Sequence, residues 1–183
     1  MYSPGAIVLL ESRQETMMRK LILMVILLGA IGCNGAAHAV PERFRPLEQI
    51  KESALRPGTA ITTIGKTAWV WNLDKWLKLH PPDSPVYDAI LLHEREHAIR
   101  QLAYGTTSWV ARYLRDTEFM RDEELRGWYL QLKEYQRRGL QTNPEGVAKV
   151  LAGYYNFSGH MIEYEDALTW VRDVLAGRWR PSE

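Results

Sequence analysis

The chain has 183 residues, of which 46% are hydrophobic and 25% charged, and its formal net charge is +1 at pH 7. This composition excludes an intrinsically disordered chain, which needs low hydrophobicity and high net charge. It gives no general attraction to nucleic acid or to an anionic membrane, so no nucleic-acid partner is expected. Because Cys33 is the single cysteine, an intramolecular disulfide and a cysteine-rich zinc cluster are excluded, and a metal site must use histidine and carboxylate ligands.

The N-terminal region has the pattern of a secretory signal peptide. Two basic residues precede an apolar run over residues 21–31, which is shorter than the roughly 20 residues needed to span a bilayer. Small residues follow and end in an A-x-A cleavage site at Ala39. The sequence therefore predicts a signal peptide over residues 1–39 and a single domain over residues 40–183.

Two further expectations concern this leader. Glu11 and Glu15 do not fit the basic n-region of a signal peptide, so translation is expected to begin at Met17 or Met18. The stretch that ends in Cys33 resembles a bacterial lipobox, in which the cysteine is lipidated and becomes the first residue. Whether the leader is cleaved after Ala39 or before a lipidated Cys33, the mature protein is expected to be exported. It would be periplasmic or secreted, or a lipoprotein whose only membrane attachment is the lipidated Cys33.

The first predicted elements of the domain are a short helix around residues 47–55 and one or two strands within residues 59–72. The second segment is rich in β-branched and aromatic residues, which suit a half-buried strand. A helix with clear boundaries follows. Ser84 is a good N-cap, Pro85 suits the first helical position, and Gly105 favours the end of the helix.

The second half of the chain is predicted to be helical. Apolar residues recur at helical spacing over residues 107–138, a short helix runs from Asn143 to residue 151, and a last helix covers residues 161–176. A loop over residues 153–159 separates the last two helices. The expected fold class is α+β, mostly helical, with a small β element before the central helix.

The helix that begins after Ser84 carries the motif H-E-x-x-H at His93, Glu94 and His97. Residues four apart lie on one face of an α-helix, one turn from each other, so both imidazoles can bind one metal ion. Zinc accepts histidine nitrogen and carboxylate oxygen, and a catalytic site keeps one position for water, whose proton Glu94 can take. The same residues also fit the inverted motif H-x-x-E-H, in which Glu96 would be the base.

The motif helix resembles that of the zincin metallopeptidases, and among them the gluzincins, whose third zinc ligand is a glutamate on a helix downstream. A strand-like segment at residues 63–67 and an acidic segment at residues 121–127 add to the resemblance, which is greatest to the compact members called minigluzincins. It implies a zincin-like fold with the β element packed on the active-site helix. It also implies that the strand at residues 61–70 lies along the cleft and can pair with an extended substrate.

The resemblance implies a third ligand in the downstream acidic segment. In several gluzincins a small residue follows the ligand glutamate three positions later, because that turn packs against the active-site helix, and Glu124 with Gly127 fits this pattern. Glu123 and Glu163 are the alternative third ligands. The carboxylate with which the family usually orients a ligand histidine is missing beside Gly127. Three nearby acidic residues could take its place: Asp116, Glu118 and Asp122.

His160 and Tyr155 are the candidates for oxyanion donors or substrate contacts. Together these residues predict an exported zinc-dependent metallopeptidase of gluzincin type, with Zn²⁺ as cofactor and a peptide or protein as substrate. One alternative is a non-catalytic zinc-binding protein of the cell envelope, or an interaction module with a structural metal site. A charged, solvated helix without metal is the remaining interpretation of the motif.

Overall fold

The computed structural model describes residues 36–53 and 61–182. In these residues a small four-stranded sheet is followed by six α-helices and a short hairpin. The predicted class, α+β and mostly helical, is confirmed. Among the described residues, no helix combines the length and the apolar character needed to cross a bilayer.

The sheet is mixed and contains strands β1 (Ala37–Ala39), β2 (Gln49–Glu52), β3 (Thr62–Ile64) and β4 (Thr67–Val70). Their order in the sheet is β1-β2-β4-β3, so β3 lies at an edge. The central pair β2–β4 is parallel, and the two outer pairs are antiparallel. Strands β3 and β4 confirm the β structure that was predicted within residues 59–72.

The helix predicted around residues 47–55 is wrong, because this segment contains strand β2. Ile50 is fully buried in the core, whereas the residues on either side of it are partly exposed, which is the alternation of a strand. Strand β2 pairs with β1 on one side and with β4 on the other. These non-local pairings override the local preference of the sequence. Residues 54–60 lie outside the described part.

Strand β1 uses the last residues of the predicted signal peptide. Residues 1–35 lie outside the described part of the chain, but Ala37–Ala39 pair with β2, with His38 opposite Ile50. Cleavage after Ala39 would remove this edge strand, whereas cleavage before Cys33 would retain it.

Two helices follow the sheet. Helix α1 (Leu73–Leu79) was not predicted, although Asn72 caps it by accepting a hydrogen bond from the backbone N–H of Lys75 at 2.8 Å. Helix α2 (Pro85–Tyr104) has the boundaries that the sequence predicts and carries the H-E-x-x-H motif.

The single helix predicted over residues 107–138 is two helices, α3 (Thr106–Tyr113) and α4 (Thr117–Arg137). Asp116 lies between them and caps α4, since its side chain accepts a hydrogen bond from the backbone N–H of Phe119 at 2.9 Å. An aspartate cap satisfies free backbone donors at the start of a helix and so marks a boundary. The apolar spacing continues through this break, which explains the error.

The predicted short helix is confirmed as α5 (Pro144–Ala152). The segment predicted as a loop at residues 153–159 contains most of a hairpin, formed by β5 (Tyr155–Asn156) and β6 (Gly159–His160). Helix α6 (Tyr164–Leu175) begins later than predicted.

Two apolar clusters stabilise the fold. The first joins the sheet to α2 through buried residues that include Ile50 and Leu91. The second joins α4 to α5 and α6 through Leu132, Leu151 and Val171. Helices α2 and α4 pack against each other between the two clusters. The polar residues of the motif are buried at this helix–helix interface.

Candidate metal centre

Helix α2 brings the two histidines of the motif together. Its start is fixed by Ser84, whose Oγ accepts a hydrogen bond from the backbone N–H of Tyr87 at 3.2 Å. His93 and His97 follow one turn apart, and their Nε2 atoms are 3.0 Å from each other. The two ring nitrogens therefore converge on one point, as the spacing of the motif predicts.

Glu124 on α4 completes a group of three candidate ligands. Its Oε2 lies 3.5 Å from His93 Nε2, and its Oε1 lies 3.5 Å from His97 Nε2. Zinc bonds of 2.0–2.1 Å in a tetrahedral site separate the ligand atoms by about 3.3 Å. Glu124 Oε2 is also buried without a hydrogen-bond partner, which is costly for a carboxylate unless a cation satisfies it. The donor types and their spacing fit a zinc ion.

Gly127 permits the close approach of α4 to α2. A Cβ atom at this position would lie 2.4 Å from His93 Cδ2 and 2.6 Å from His93 Nε2. Only glycine leaves room for the imidazole of His93 here. Glu124 lies one turn before Gly127, so the same approach brings its carboxylate to the histidines. The small residue three positions after Glu124 thus has the packing role expected from the sequence.

The four polar residues of the motif and its partner are almost fully buried: His93 is 4% exposed, Glu94 5%, His97 6% and Glu124 4%. Burial is the largest single effect on His97 and disfavours its protonated form, but the charge and hydrogen bond of Glu124 and the charges of Glu94 and Glu123 together outweigh it and raise the pKa of His97 to about 9. Burial also disfavours ionised Glu124, yet His97 and His93 hold its pKa well below its usual range. In the metal-free protein, His97 and Glu124 therefore form an ion pair at neutral pH.

Gln131 orients the imidazole of His93. Its Oε1 lies 3.1 Å from His93 Nδ1, and its Nε2 donates a hydrogen bond to the hydroxyl of Tyr135 at 2.8 Å. With the amide oxygen facing the ring, Nδ1 is the donor and Nε2 keeps its lone pair for a metal ion. Gln131 lies one turn beyond Gly127, on the same face of α4 as Glu124. An amide therefore has the orienting role that the sequence resemblance led us to expect of a carboxylate.

The three acidic residues expected in that role lie elsewhere. Asp116 caps α4 and accepts a hydrogen bond from Arg112 at 3.0 Å. Asp122 pairs with Arg126 at 3.0 Å, and Glu118 is exposed in the first turn of α4. The expectation of a carboxylate is corrected to the amide of Gln131.

Glu94 is held by a residue of the sheet. Its Oε2 accepts a hydrogen bond from Thr63 Oγ1 at 2.7 Å. Gln101, two turns beyond His93 on α2, fixes the backbone of β3, because its Nε2 donates to the carbonyl of Thr63 at 2.9 Å and its Oε1 accepts from Gly65 N–H at 2.7 Å. The edge strand and the motif carboxylate are thus connected through Thr63. Glu96, the base of the inverted motif, is only partly buried.

The two alternative third ligands do not join the histidines. Glu123 is completely buried, and both of its oxygens accept hydrogen bonds from Arg100 Nε at 2.7 Å. Arg100 therefore neutralises Glu123 and holds it away from the metal ligands. Glu163 is exposed at the N-cap position of α6, where acids suit the helix dipole.

The hairpin residues proposed as oxyanion donors face each other. Tyr155 and His160 are paired across β5 and β6, with their ring centroids 6.2 Å apart, and both are exposed. The neighbouring Tyr154 interacts electrostatically with Glu124. Burial raises its pKa well above the usual value, and the charge of Glu124 raises it further.

Aromatic side chains form walls around the histidines. Trp128 lies edge-on to His93 with ring centroids 5.6 Å apart, and Trp109 lies edge-on to His97 at 5.7 Å. Tyr113 stacks on Trp109 at 4.8 Å. Burial and the charge of Glu124 raise the pKa of Tyr113 well above its usual value, so its hydroxyl remains a donor at neutral pH.

Comparisons of the chain with protein-family models, with curated proteins and with solved structures find no match. What is shown is a buried group of His93, His97 and Glu124 that could hold a metal ion.

Proposed function

We propose that this protein is a zinc-dependent peptidase of gluzincin type that acts outside the cytoplasm. The observation that carries the proposal is the convergence of His93, His97 and Glu124, with Glu94 adjacent on the same helix. A charged surface helix does not explain this arrangement, because all four residues are buried and the ligand atoms lie at zinc-compatible separations. The predicted signal peptide supports export, and a lipidated Cys33 would attach the protein to the membrane.

Each residue would have a separate part in peptide hydrolysis. His93, His97 and Glu124 would hold the zinc ion, which supplies Lewis-acid chemistry to a water molecule and to the substrate carbonyl when it is bound. Glu94 would accept the proton of the attacking water and return it to the leaving amine. The hydrogen bond from Thr63 to Oε2 of Glu94 keeps this carboxylate in one orientation.

Strand β3 would receive the substrate. It is an edge strand among the described strands, and Gln101 binds its Thr63 carbonyl and the adjacent Gly65 N–H. An extended peptide would add to this edge through the backbone groups that Gln101 does not use. Because Thr63 belongs to this strand and contacts Glu94, a peptide paired with β3 would lie beside the reacting groups.

A structural zinc site in a non-catalytic envelope protein is the second candidate. The observation in its favour is the burial of all three ligands and of Glu94, since structural sites are closed whereas catalytic sites keep a position for water. The two functions differ in what Glu94 does. In a structural site its carboxylate has no chemical task.

Glutamine substitution at Glu94 tests the proposal, and the same substitution at Glu96 is the matched control. The purified protein is incubated with zinc and a mixture of quenched fluorescent peptides, and cleavage is followed by fluorescence. We expect Glu94→Gln to abolish cleavage with zinc content unchanged, whereas Glu96→Gln retains activity. Loss of activity in Glu96→Gln alone would support the inverted motif. A wild-type protein that binds zinc and cleaves no peptide would support the structural site.

A further inference from the structure

The two oxygens of the Glu124 carboxylate have different environments. Oε1 accepts a hydrogen bond of 2.5 Å from the hydroxyl of Tyr113. Oε2 has no hydrogen-bond partner, although the residue is 4% exposed. A buried anionic oxygen without a donor is unfavourable, so this atom is the one that a cation is expected to satisfy.

Tyr113 is itself held by two further contacts. Its ring stacks on Trp109 with an interplanar angle of 19°, and Trp109 in turn packs edge-on against His97. Its backbone carbonyl accepts a hydrogen bond from Asn156 Nδ2 of the hairpin at 2.9 Å. Its hydroxyl therefore cannot follow Glu124 if the carboxylate rotates, and the position of the carboxylate is set by helix α3.

We propose that Tyr113 is a positioning residue for the metal ligand Glu124. Oε1 also lies 3.5 Å from His97 Nε2, so both oxygens are near the histidines, and the hydrogen bond from Tyr113 to Oε1 favours Oε2 as the donor atom. This inference rests on the metal-binding part of the proposed function and not on peptidase activity. Helix α3 lies outside both the motif and the downstream acidic segment. Through Tyr113 it would nevertheless act directly on the metal site.

The consequence concerns the number of donors that the protein supplies. Two imidazoles and one carboxylate oxygen would give three, and a four-coordinate zinc ion would then have one position left for water. A carboxylate that bound through both oxygens would supply four donors. Tyr113 therefore favours the open, catalytic form of the site over the closed one.

The test is the zinc affinity of Tyr113→Phe, measured by competition with a chromophoric zinc chelator. Second-shell changes of this kind weaken metal binding by about 10–100-fold, and we expect a loss in this range. Tyr129→Phe is the matched control. Tyr129 lies on the same helix as Glu124, but its ring packs against Trp179 with centroids 5.7 Å apart, so this substitution should leave the zinc affinity unchanged. Equal affinity of Tyr113→Phe and wild type, or equal weakening by both substitutions, would overturn the inference.

A measurement on the wild-type protein covers the case in which Tyr113→Phe does not fold, which circular dichroism would detect. A crystal structure of the zinc-loaded protein should show Oε2 of Glu124 bonded to zinc at about 2.0–2.2 Å, with Oε1 still accepting the hydrogen bond from Tyr113. Zinc bonded equally to both carboxylate oxygens would overturn the inference while leaving zinc binding intact. A wild-type protein that binds no zinc would overturn the proposed function and this inference together.

Discussion

Replacing Gly127 with alanine tests how closely helix α4 must approach the motif helix. The new Cβ would lie 2.4 Å from His93 Cδ2, whereas carbon atoms in ordinary contact are about 3.5–4.0 Å apart. Either the imidazole or α4 must therefore move by about 1 Å. Metal–ligand distances tolerate deviations of only about 0.2 Å, so a shift of this size between His93 and Glu124 disturbs the metal site.

The expected magnitudes follow from two opposing effects. Overpacking of a close-packed interior costs about 1–3 kcal/mol, whereas alanine stabilises a helix interior by about 1 kcal/mol relative to glycine. We expect Gly127→Ala to lower the free energy of unfolding of the metal-free protein by up to about 2 kcal/mol, as measured by urea unfolding. Zinc affinity should fall by roughly 10–100-fold, as measured by chelator competition.

A double-mutant cycle with His93→Ala isolates the clash. Without the imidazole, Gly127→Ala should no longer be destabilising and should raise the free energy of unfolding by up to about 1 kcal/mol. Gly146→Ala on α5 is the control, since its Cβ meets only the Asn143 side chain, at 3.1 Å, and zinc affinity should not change. The reasoning is refuted if Gly127→Ala costs the same with and without His93, or leaves zinc affinity unaltered.

Three other predictions address the surroundings of the site. Thr63→Val should lower the kcat of peptide cleavage roughly 10–100-fold with zinc content unchanged, because one hydrogen bond to the Glu94 carboxylate is lost. Thr63→Ser should restore the kcat, and equal kcat values for Thr63→Val and the wild type would contradict the role of Thr63. Glu123→Gln should lower the free energy of unfolding by about 3 kcal/mol because Arg100 loses its buried ionic partner and keeps only the longer contact with Asp122, yet zinc should remain bound, and loss of zinc would contradict this placement. The pKa of His97 is raised from 6.5 to about 9, so its protonation stabilises the metal-free fold fully below pH 6.5. This contribution, on the order of 3 kcal/mol, should be lost as the pH rises to 9 in urea unfolding experiments, and a flat profile would refute the ion pair.

The motif helix could be predicted because its determinants, the cap at Ser84 and the spacing of His93 and His97, are local. Glu124 was chosen through the resemblance to gluzincins, in which a small residue such as Gly127 follows the ligand three positions later. Gly127 was informative because a larger residue does not fit there. The imidazole of His93 occupies the space that a side chain at this position would need.

The remaining errors arise where distant contacts decide the outcome. Strand β2 was assigned as a helix because its pairing with β1 and β4 is not visible in residues 47–55. The orienting role of Gln131 was missed because a carboxylate was expected, although the residue lies on the same face of α4 as Glu124. Nothing near Glu123 indicated that Arg100, on another helix, would neutralise it.

The central claim is that His93, His97 and Glu124 bind one zinc ion. The most direct test is the metal content of the purified protein, measured by elemental mass spectrometry beside His97→Ala and Glu124→Gln. We expect about one zinc per chain in the wild type and a large loss in both variants. A folded wild-type protein without stoichiometric zinc, or variants that retain it in full, would contradict the claim.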